Sequence, residues 1–315
     1  MDVTPLRIGI VGAGKIARDQ HIPAIRNCDA FALVGCTHST IAYEGVRNFP
    51  DLLSMLEALP ELEAVSLCCP PQARYEAAVL ALEWHKHVLL EKPPCATVEQ
   101  LDSLTYLAKR MDRTLYQTWH LAELRAIREV QNWLATRNFK GGRILWREDV
   151  KRWHPGQTWL WQKGGFGVFD AGINALSILT TVLPEALTVR SAELMVPVNC
   201  ETPIAANVLF EMAGKEITAE FDFRGEGETV WQIEFRATEG TAILDASRNR
   251  LIRDGHEQDF GAGEPTYATL YRRFAELIRA NRSEIDTQPL RLVEDIFRLG
   301  RHIAVAPIAD VQRLG

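Results

Sequence analysis

Residues 6–17 read LRIGIVGAGKIA: an apolar run, Leu6–Val11, followed by Gly12-Ala13-Gly14-Lys15-Ile16-Ala17. A short apolar run bounded by glycine reads as a buried strand. The six residues after it fit G-x-G-x-x-G/A, a weak signal alone. Here a helical stretch, Lys15–Ile25, follows directly, and that context gives the pattern its meaning. The first glycine allows a tight turn, the second lets backbone approach a pyrophosphate, and small Ala17 lets the helix pack on the strand. The helix N-terminus offers N–H groups and a positive dipole to phosphates. The stretch predicts a dinucleotide loop with Gly12, Gly14, Lys15 and Ile16 as contacts. The competing reading is a glycine-rich turn without a ligand.

Working outward, the first 121 residues alternate two signals. Leu6–Val11, Phe31–Cys36, Ala64–Cys68, His87–Leu90 and Leu115–Thr118 read as buried parallel strands. Between most of them lie helical stretches: Lys15–Ile25, Asp51–Ala58, Ala73–Trp84 and Val98–Met111, the last preceded by Thr97 with Gln100 three residues on, as in a capping box. This β-α-β rhythm predicts a Rossmann-type doubly wound parallel sheet. After one more helix, Glu123–Thr136, the rhythm changes to runs separated by Gly, Pro and charged turns. They are Arg143–Val150, Leu187–Val196, Ala205–Met212, Glu216–Phe223, Trp231–Ala237 and Ala242–Asp245, and several alternate in polarity. Alternation predicts a large, open, mostly antiparallel sheet. Helical stretches Tyr267–Ala280 and Leu290–Ile303 close the chain. The expected organisation is α/β overall: a dinucleotide-binding domain over 1–121, then an α+β substrate domain over 122–315.

Bulk properties agree. The chain has 315 residues, room for about two domains at roughly 150 residues each. Hydrophobic residues at 47% and charged residues at 24% exclude disorder and fibrous repeats. Thirty-five Lys+Arg against 41 Asp+Glu give a net charge of −6, which argues against a nucleic-acid partner. No apolar run nears the roughly 18 residues of a membrane helix, and the N-terminus lacks a signal-peptide pattern. The six cysteines lack C-x-x-C spacing and read as reduced core thiols of a cytoplasmic protein. The histidines and cysteines show no metal-ligand spacing, so no catalytic metal is expected.

The second strand should carry the group that reads the adenosine ribose. It ends Cys36-Thr37-His38-Ser39-Thr40, with no acid before Glu44. NAD-specific sites place Asp or Glu there. Its absence predicts that NADP is tolerated or preferred with NAD usable, and Thr37 and His38 become cofactor contacts. Side chains at carboxyl ends of parallel strands face the cofactor crevice, which adds Cys69, Pro70, Pro71, Glu91 and Lys92.

The strand end Glu91-Lys92-Pro93-Pro94 resembles the EKP motif of the Gfo/Idh/MocA oxidoreductase family, and the resemblance covers the whole chain. Within the family, GKIARDQHIPAI (14–25), SLCCPPQ (66–72), LLEKPP (89–94), WREDVKRWHPGQTWLW (146–161) and GGFGVFDAGINALSI (164–178) resemble bacterial aldose 1-dehydrogenases acting on L-arabinose and D-galactose. The resemblance implies roles around a sugar for Lys92, Glu148, His154, Asp170 and Asn174, with His120, Trp153 and Trp231 nearby. Many family members pair Asp with His four residues apart, whereas this chain pairs Asp170 with Asn174. An i, i+4 pair shares a helix face. Asn takes no proton at neutral pH, so the base must be another group: Asp170 is the expected base with Lys92 or His154 as the alternatives, Lys92 the donor to the same oxygen, and Asn174 an orienting group.

Plainer readings stand beside these. Lys92 could pair a phosphate, Asp170 could cap a helix over Ala171–Val182, and Asn174 could be a satisfied core amide. His154 could sit in a turn, and His120 could be a core histidine. Glu148 and Asp149 alternate, so only one faces inward. Six of eight tryptophans fall between residues 119 and 161, and Trp119, Trp146, Trp153, Trp159 and Trp161 read either as sugar platforms or as ordinary packing. The expected activity is NAD(P)-dependent oxidation of the C1 hydroxyl of L-arabinose, D-galactose or D-fucose to an aldonolactone. The alternatives are a polyol or cyclitol dehydrogenase, or a non-catalytic sugar sensor. The expected partner is a small-molecule aldose; an apolar face of the second sheet leaves open either a homodimer through that sheet or a monomer.

Overall fold

Leu6–Val11 becomes the centre of a sheet because its apolar side chains have neighbours on both sides. In the computed structural model, which describes residues 4–38, 43–225, 229–261 and 265–309, this run is β1. It pairs in parallel with β2 (Phe31–Thr37) on one side. On the other it pairs with β4 (Ala64–Leu67). With β3 (Arg47–Phe49), β5 (His87–Leu90) and β6 (Leu115–Gln117) the order is β3-β2-β1-β4-β5-β6, all parallel. The strand order reverses between β1 and β4, where open α/β sheets bind ligands beyond the strand ends.

The helices follow the expected places with local adjustments. Lys15–Ile25 is helical but widens into a π-turn over Ala17–His21 before α1 (Ile22–Arg26). The carboxylate of Asp51 caps α2 (Leu52–Ala58) by accepting from Ser54 N at 2.8 Å. α3 (Pro71–Glu83) starts on proline, whose missing N–H costs nothing in a first turn. At α4 (Val98–Arg110) Thr97 Oγ1 accepts from Gln100 N, and Gln100 Oε1 accepts from Ala96 N, one residue before the usual box partner.

The second unit is built on a nine-stranded sheet. α5 (Arg125–Ala135) precedes β7 (Phe139–Arg147), and α6 (Val150–Trp153) and α7 (Phe169–Val182) follow it. Then come β8 (Thr188–Pro197), β9 (Ala205–Met212), β10 (Lys215–Asp222), β11 (Val230–Ala237), β12 (Gly240–Asp245), β13 (Arg250–Arg253) and β14 (His256–Asp259). α8 (Thr266–Arg279), α9 (Gln288–Leu299) and β15 (Arg301–Val305) end the chain. The sheet order is β14-β13-β12-β11-β7-β10-β9-β8-β15. Most pairs are antiparallel; β7–β10 and β8–β15 are parallel.

Three expectations change. The division at 121/122 misses an excursion, because the compact units are Met1–His120 with Glu264–Thr287, and Leu121–Gly263 with Gln288–Gly315. α8 joins the first unit: its Tyr267, Leu270, Tyr271 and Phe274 share a core with Ile8, Ile25, Phe31 and Tyr116. Hydrophobic periodicity shows that a helix has an apolar face but not which sheet covers it. Second, Leu290–Ile303 is not one helix. It stops at Leu299, and Gly300 turns the chain where a Cβ would lie 2.6 Å from Ile296 O, after which β15 runs beside β8. Third, the solvent face of the second sheet is charged rather than apolar. Arg147 pairs with Glu220, Arg301 with Glu193, and Arg190 with Glu211.

No helix among the described residues is long and apolar enough to cross a membrane. At the start of β5, His87 Nδ1 accepts from Thr114 N at 3.0 Å. Burial, aided by Arg113, lowers the His87 pKa to about 4. A folded pKa below the unfolded value of about 6.5 means that the unfolded chain takes the proton first. Stability is therefore expected to fall as pH drops from about 6.5 towards 4. Thermal melts across that range should show a shallower fall in His87→Gln, which keeps an acceptor for Thr114 N without a titrating ring.

Candidate active site

In the first unit, the glycine loop leaves β1 with Gly12 at φ +83°, and a Cβ there would lie 2.8 Å from Cys69 N. Glycine at this position lets the loops after β1 and β4 touch. Among the described residues, a Cβ on Gly14 would meet no atom within 4 Å beyond its own chain neighbours. No packing demands that glycine, whereas the approach of a pyrophosphate would, so the loop fits a dinucleotide. Thr37 is fully buried; its Oγ1 accepts from Gly12 N at 3.0 Å and its carbonyl from Ala13 N at 2.9 Å. Thr37 thus supports the loop from beneath. His38, exposed at φ +56°, is the next residue at the strand's end. Ser39 and Thr40 lie outside the described residues. Lys15 pairs with Asp19 one turn on, and Ile16 is half-buried in the same turn.

Arg74 holds the neighbouring loops together. It is buried, and its guanidinium donates to the carbonyls of Glu91, Pro93 and Cys69. Pro70 and Pro71 carry the chain from Cys69 into α3. Lys92 follows β5, is half-buried, and precedes a cis peptide to Pro93. Its backbone N–H donates to Glu91 Oε2. Glu91, 2% exposed, also accepts at Oε1 from the Tyr267 hydroxyl and faces His21 Nε2 at 3.3 Å. Burial alone would raise the Glu91 pKa, but His21, His120 and Lys92 outweigh it and hold the carboxyl well below its usual range. His120 stacks on Tyr267, ring centroids 5.3 Å apart.

In the second unit, β7 delivers Glu148 to the inner face at 2% exposure, while Asp149 turns away to cap α6 through Lys151 N. That answers which of the two faces inward. His154 ends α6 and is not merely a turn residue. Its Nε2 lies 3.7 Å from Glu148 Oε2, and its Nδ1 lies 3.6 Å from Asp170 Oδ2 and 3.3 Å from Gln157 Oε1. Asp170 is 3% exposed and sits inside the first turn of α7, whose N-cap is Val168, so it is not the cap. Asn174 follows one turn later; its Oδ1 is buried without a hydrogen-bond partner among the described residues. Trp153 donates to Thr229 Oγ1 at 3.1 Å and its ring lies 6.0 Å from that of Trp231, which stacks on Trp146 at 5.4 Å.

The structure therefore gathers Glu148, His154 and Asp170 around one imidazole, with Asn174 on the Asp170 helix. It separately gathers Glu91, Lys92 and His120 with two residues the sequence did not flag, His21 and Tyr267. No local motif marks either; both look like core aromatics of helical segments. The tryptophans divide. Trp119 donates to Asp286 O and is buried, as are Trp146 and Trp161; Trp153, Trp159 and Trp231 are half-buried.

Known proteins share this arrangement of chain. Residues 6–118 match the Gfo/Idh/MocA model, described as an oxidoreductase family with an NAD-binding Rossmann fold. The chain is 45% identical to a galactose 1-dehydrogenase of Pseudomonas fluorescens over 97% of its own length and 99% of the relative's. It superposes on the crystal structure of a D-galactose-1-dehydrogenase protein from Rhizobium etli with a TM-score of 0.91 at 42% identity, covering 98% of this chain and 99% of that one. A 3-ketoreductase from Actinomadura kijaniata, crystallised with NADP and TDP-benzene, shares the fold at 19% identity with a TM-score of 0.84 over 96% of this chain and 99% of that one.

Removing the Thr37 hydroxyl leaves the Gly12 N–H without its acceptor, a loss of about 1–3 kcal/mol. Thr37→Val is expected to raise KM for NADP+ and NAD+ by a similar factor, about tenfold, with kcat nearly unchanged. Steady-state kinetics with both cofactors checks this, and a loss confined to NADP+ would place Thr37 at the ribose instead.

Proposed function

Because this chain belongs to the Gfo/Idh/MocA family of oxidoreductases, we propose that it is an aldose 1-dehydrogenase that oxidises the C1 hydroxyl of D-galactose, L-arabinose and D-fucose. The observation that carries the substrate class is the buried Oδ1 of Asn174, without a hydrogen-bond partner among the described residues and one turn along α7 from Asp170 of the Asp170–His154–Glu148 cluster. An orphaned buried acceptor costs about 1–3 kcal/mol unless a ligand hydroxyl donates to it. A polyhydroxylated ring supplies such donors, and the carboxylates of Glu148 and Asp170 accept further ones. The half-buried indoles of Trp153 and Trp231 offer flat apolar surface of the kind that covers a sugar face.

Oxidation at C1 removes a hydride and a proton and leaves a C=O bond, so the product is the aldonolactone. NAD(P)+, held at the Gly12–Gly14 loop, would supply the hydride acceptor; neither Thr37 nor His38 sets a carboxylate against a 2′-phosphate, which leaves NADP usable. In this reading Asp170 takes the hydroxyl proton, for which the adjacent His154 orients it. Lys92 donates from its ammonium to the C1 oxygen as charge develops there. Asn174, Glu148 and His154 grip the remaining hydroxyls. In the same reading the loop Cys69-Pro70-Pro71 lines the first unit's cofactor crevice, while buried Glu91 holds the Lys92 backbone from beneath.

Lys92→Ala and Asp170→Ala are each expected to lower kcat by about 10²–10⁴ while circular dichroism and melting temperature stay close to the parent. An Asp170→Ala protein with near-full turnover would move the base elsewhere.

The substrate panel follows from sugar geometry. L-Arabinopyranose, D-galactopyranose and D-fucose share configuration at C2, C3 and C4 and differ at C5. A missing or added C5 substituent changes discrimination by about 1–3 kcal/mol, so all three should react. Inverting the C4 hydroxyl leaves buried polar groups unpaired, so D-glucose should fall tens-fold or more below D-galactose in kcat/KM, and D-xylose similarly below L-arabinose. Equal rates for glucose and galactose would remove the hydroxyl-grip reading, and myo-inositol as the best substrate would assign a cyclitol dehydrogenase.

A further inference from the structure

A buried chain of polar groups runs beneath the lysine loop and has no part in the reaction as derived. Ser66 Oγ lies 2.8 Å from the Tyr271 hydroxyl, and that hydroxyl lies 2.7 Å from His21 Nδ1. His21 Nε2 faces Glu91 Oε1, on which the Tyr267 hydroxyl also converges, while Glu91 Oε2 accepts from the Lys92 backbone. With the His21 proton on Nε2, every bond in the chain points the same way. Ser66 donates to Tyr271, Tyr271 to His21, and His21 and Tyr267 to Glu91. Burial and the Glu91 carboxylate push the Tyr267 phenol up, so it stays protonated and keeps donating.

The geometry of Tyr267 serves two neighbours at once. Its hydroxyl helps hold the carboxylate that holds the Lys92 N–H. Its ring carries the ring of His120 at 5.3 Å and packs edge-on against His21 at 4.8 Å. We propose that Tyr267, delivered to the first unit by α8 from far along the chain, is a positioning residue for the catalytic lysine, acting through Glu91 and together with His21. The inference rests on the role read for Lys92. Arg74 restrains the same loop by donating to the Glu91 and Pro93 carbonyls, so the loop's path is set by backbone contacts. Tyr267 is left to fix where the Glu91 carboxylate sits within it. A lysine displaced by an ångström loses its hold on a developing charge without losing the cofactor.

The test is Tyr267→Phe in the full-length protein, assayed with D-galactose and NADP+ beside Lys92→Ala and the double variant. Tyr267→Phe is expected to lower kcat about tenfold, to change KM for NADP+ by less than about twofold, and to leave the protein folded at the assay temperature. In the Lys92→Ala background the same substitution should have almost no further effect on kcat, because the group it positions is gone. Tyr267→Phe with kcat within twofold of the parent, or an equal loss with and without Lys92, overturns the proposal and leaves Tyr267 as packing. Lys92→Ala with full turnover overturns the lysine reading itself, which is a distinct outcome. Should Tyr267→Phe fail to fold, Glu91→Gln carries the same test, since an amide sets a donor against the donors now converging there. It should lower kcat about as much, with the same dependence on Lys92, and parent-like kcat would overturn the proposal.

Discussion

Glu91 carries a negative charge at 2% exposure in the first unit, and much of that unit's construction meets its requirements. A buried carboxylate is costly unless donors surround it. The donors come from three separate places: His21 on the helical run after the glycine loop, the backbone of Lys92, and Tyr267 on α8. No single segment supplies them. The charge therefore ties together the turn that receives a dinucleotide, the loop that carries the lysine, and a helix some 175 positions away in the chain. The same requirement accounts for the polar hydroxyls inside the otherwise apolar core of Ile8, Phe31 and Phe274.

The second unit meets a different constraint. Its sheet buries Ile144, Phe221, Ile233 and Phe235 on one side and sets arginine–glutamate pairs on the other. On the buried side Glu148 follows directly on β7, and α7 brings Asp170 and Asn174. Two buried carboxylates meet at one imidazole, which gives each a partner and leaves hydroxyl-accepting capacity on both carboxylates. α7 carries almost wholly buried side chains, so packing alone does not account for a polar pair one turn apart on it. The hydroxyl recognition proposed above would give that pair its use.

Much of this was legible beforehand because it depends on neighbours in sequence. Five of the six parallel strands were legible as apolar runs; β3, with one buried residue in three, has too little pattern to detect. Asp170 and Asn174 share a helix face by spacing alone. Which of Glu148 and Asp149 points inward had no local answer, since alternation puts one on each side without saying which side is core. His154 was equally ambiguous, because its environment is made by residues 148, 157 and 170 folding around it.

Local pattern is enough where the physics is local. Glycine placement, strand length and helix period, all acting within a few residues, decide that a dinucleotide loop opens a parallel sheet and that alternating strands follow. Three things were decided only by the folded chain. Gly300 lies where a helix that periodicity would continue gives way to β15, at a point where a Cβ would meet Ile296 O and the Leu194 side chain. The outer sheet face is polar because the other face is the one covered, which turns Arg147 and Glu220, Arg190 and Glu211, and Arg301 and Glu193 outward to pair between strands. Tyr267 reaches Glu91 because the apolar face of α8 found the first unit's core. Hydrophobic burial is non-directional, so a helix's sequence specifies that a face must be covered; only the assembled tertiary structure specifies by what.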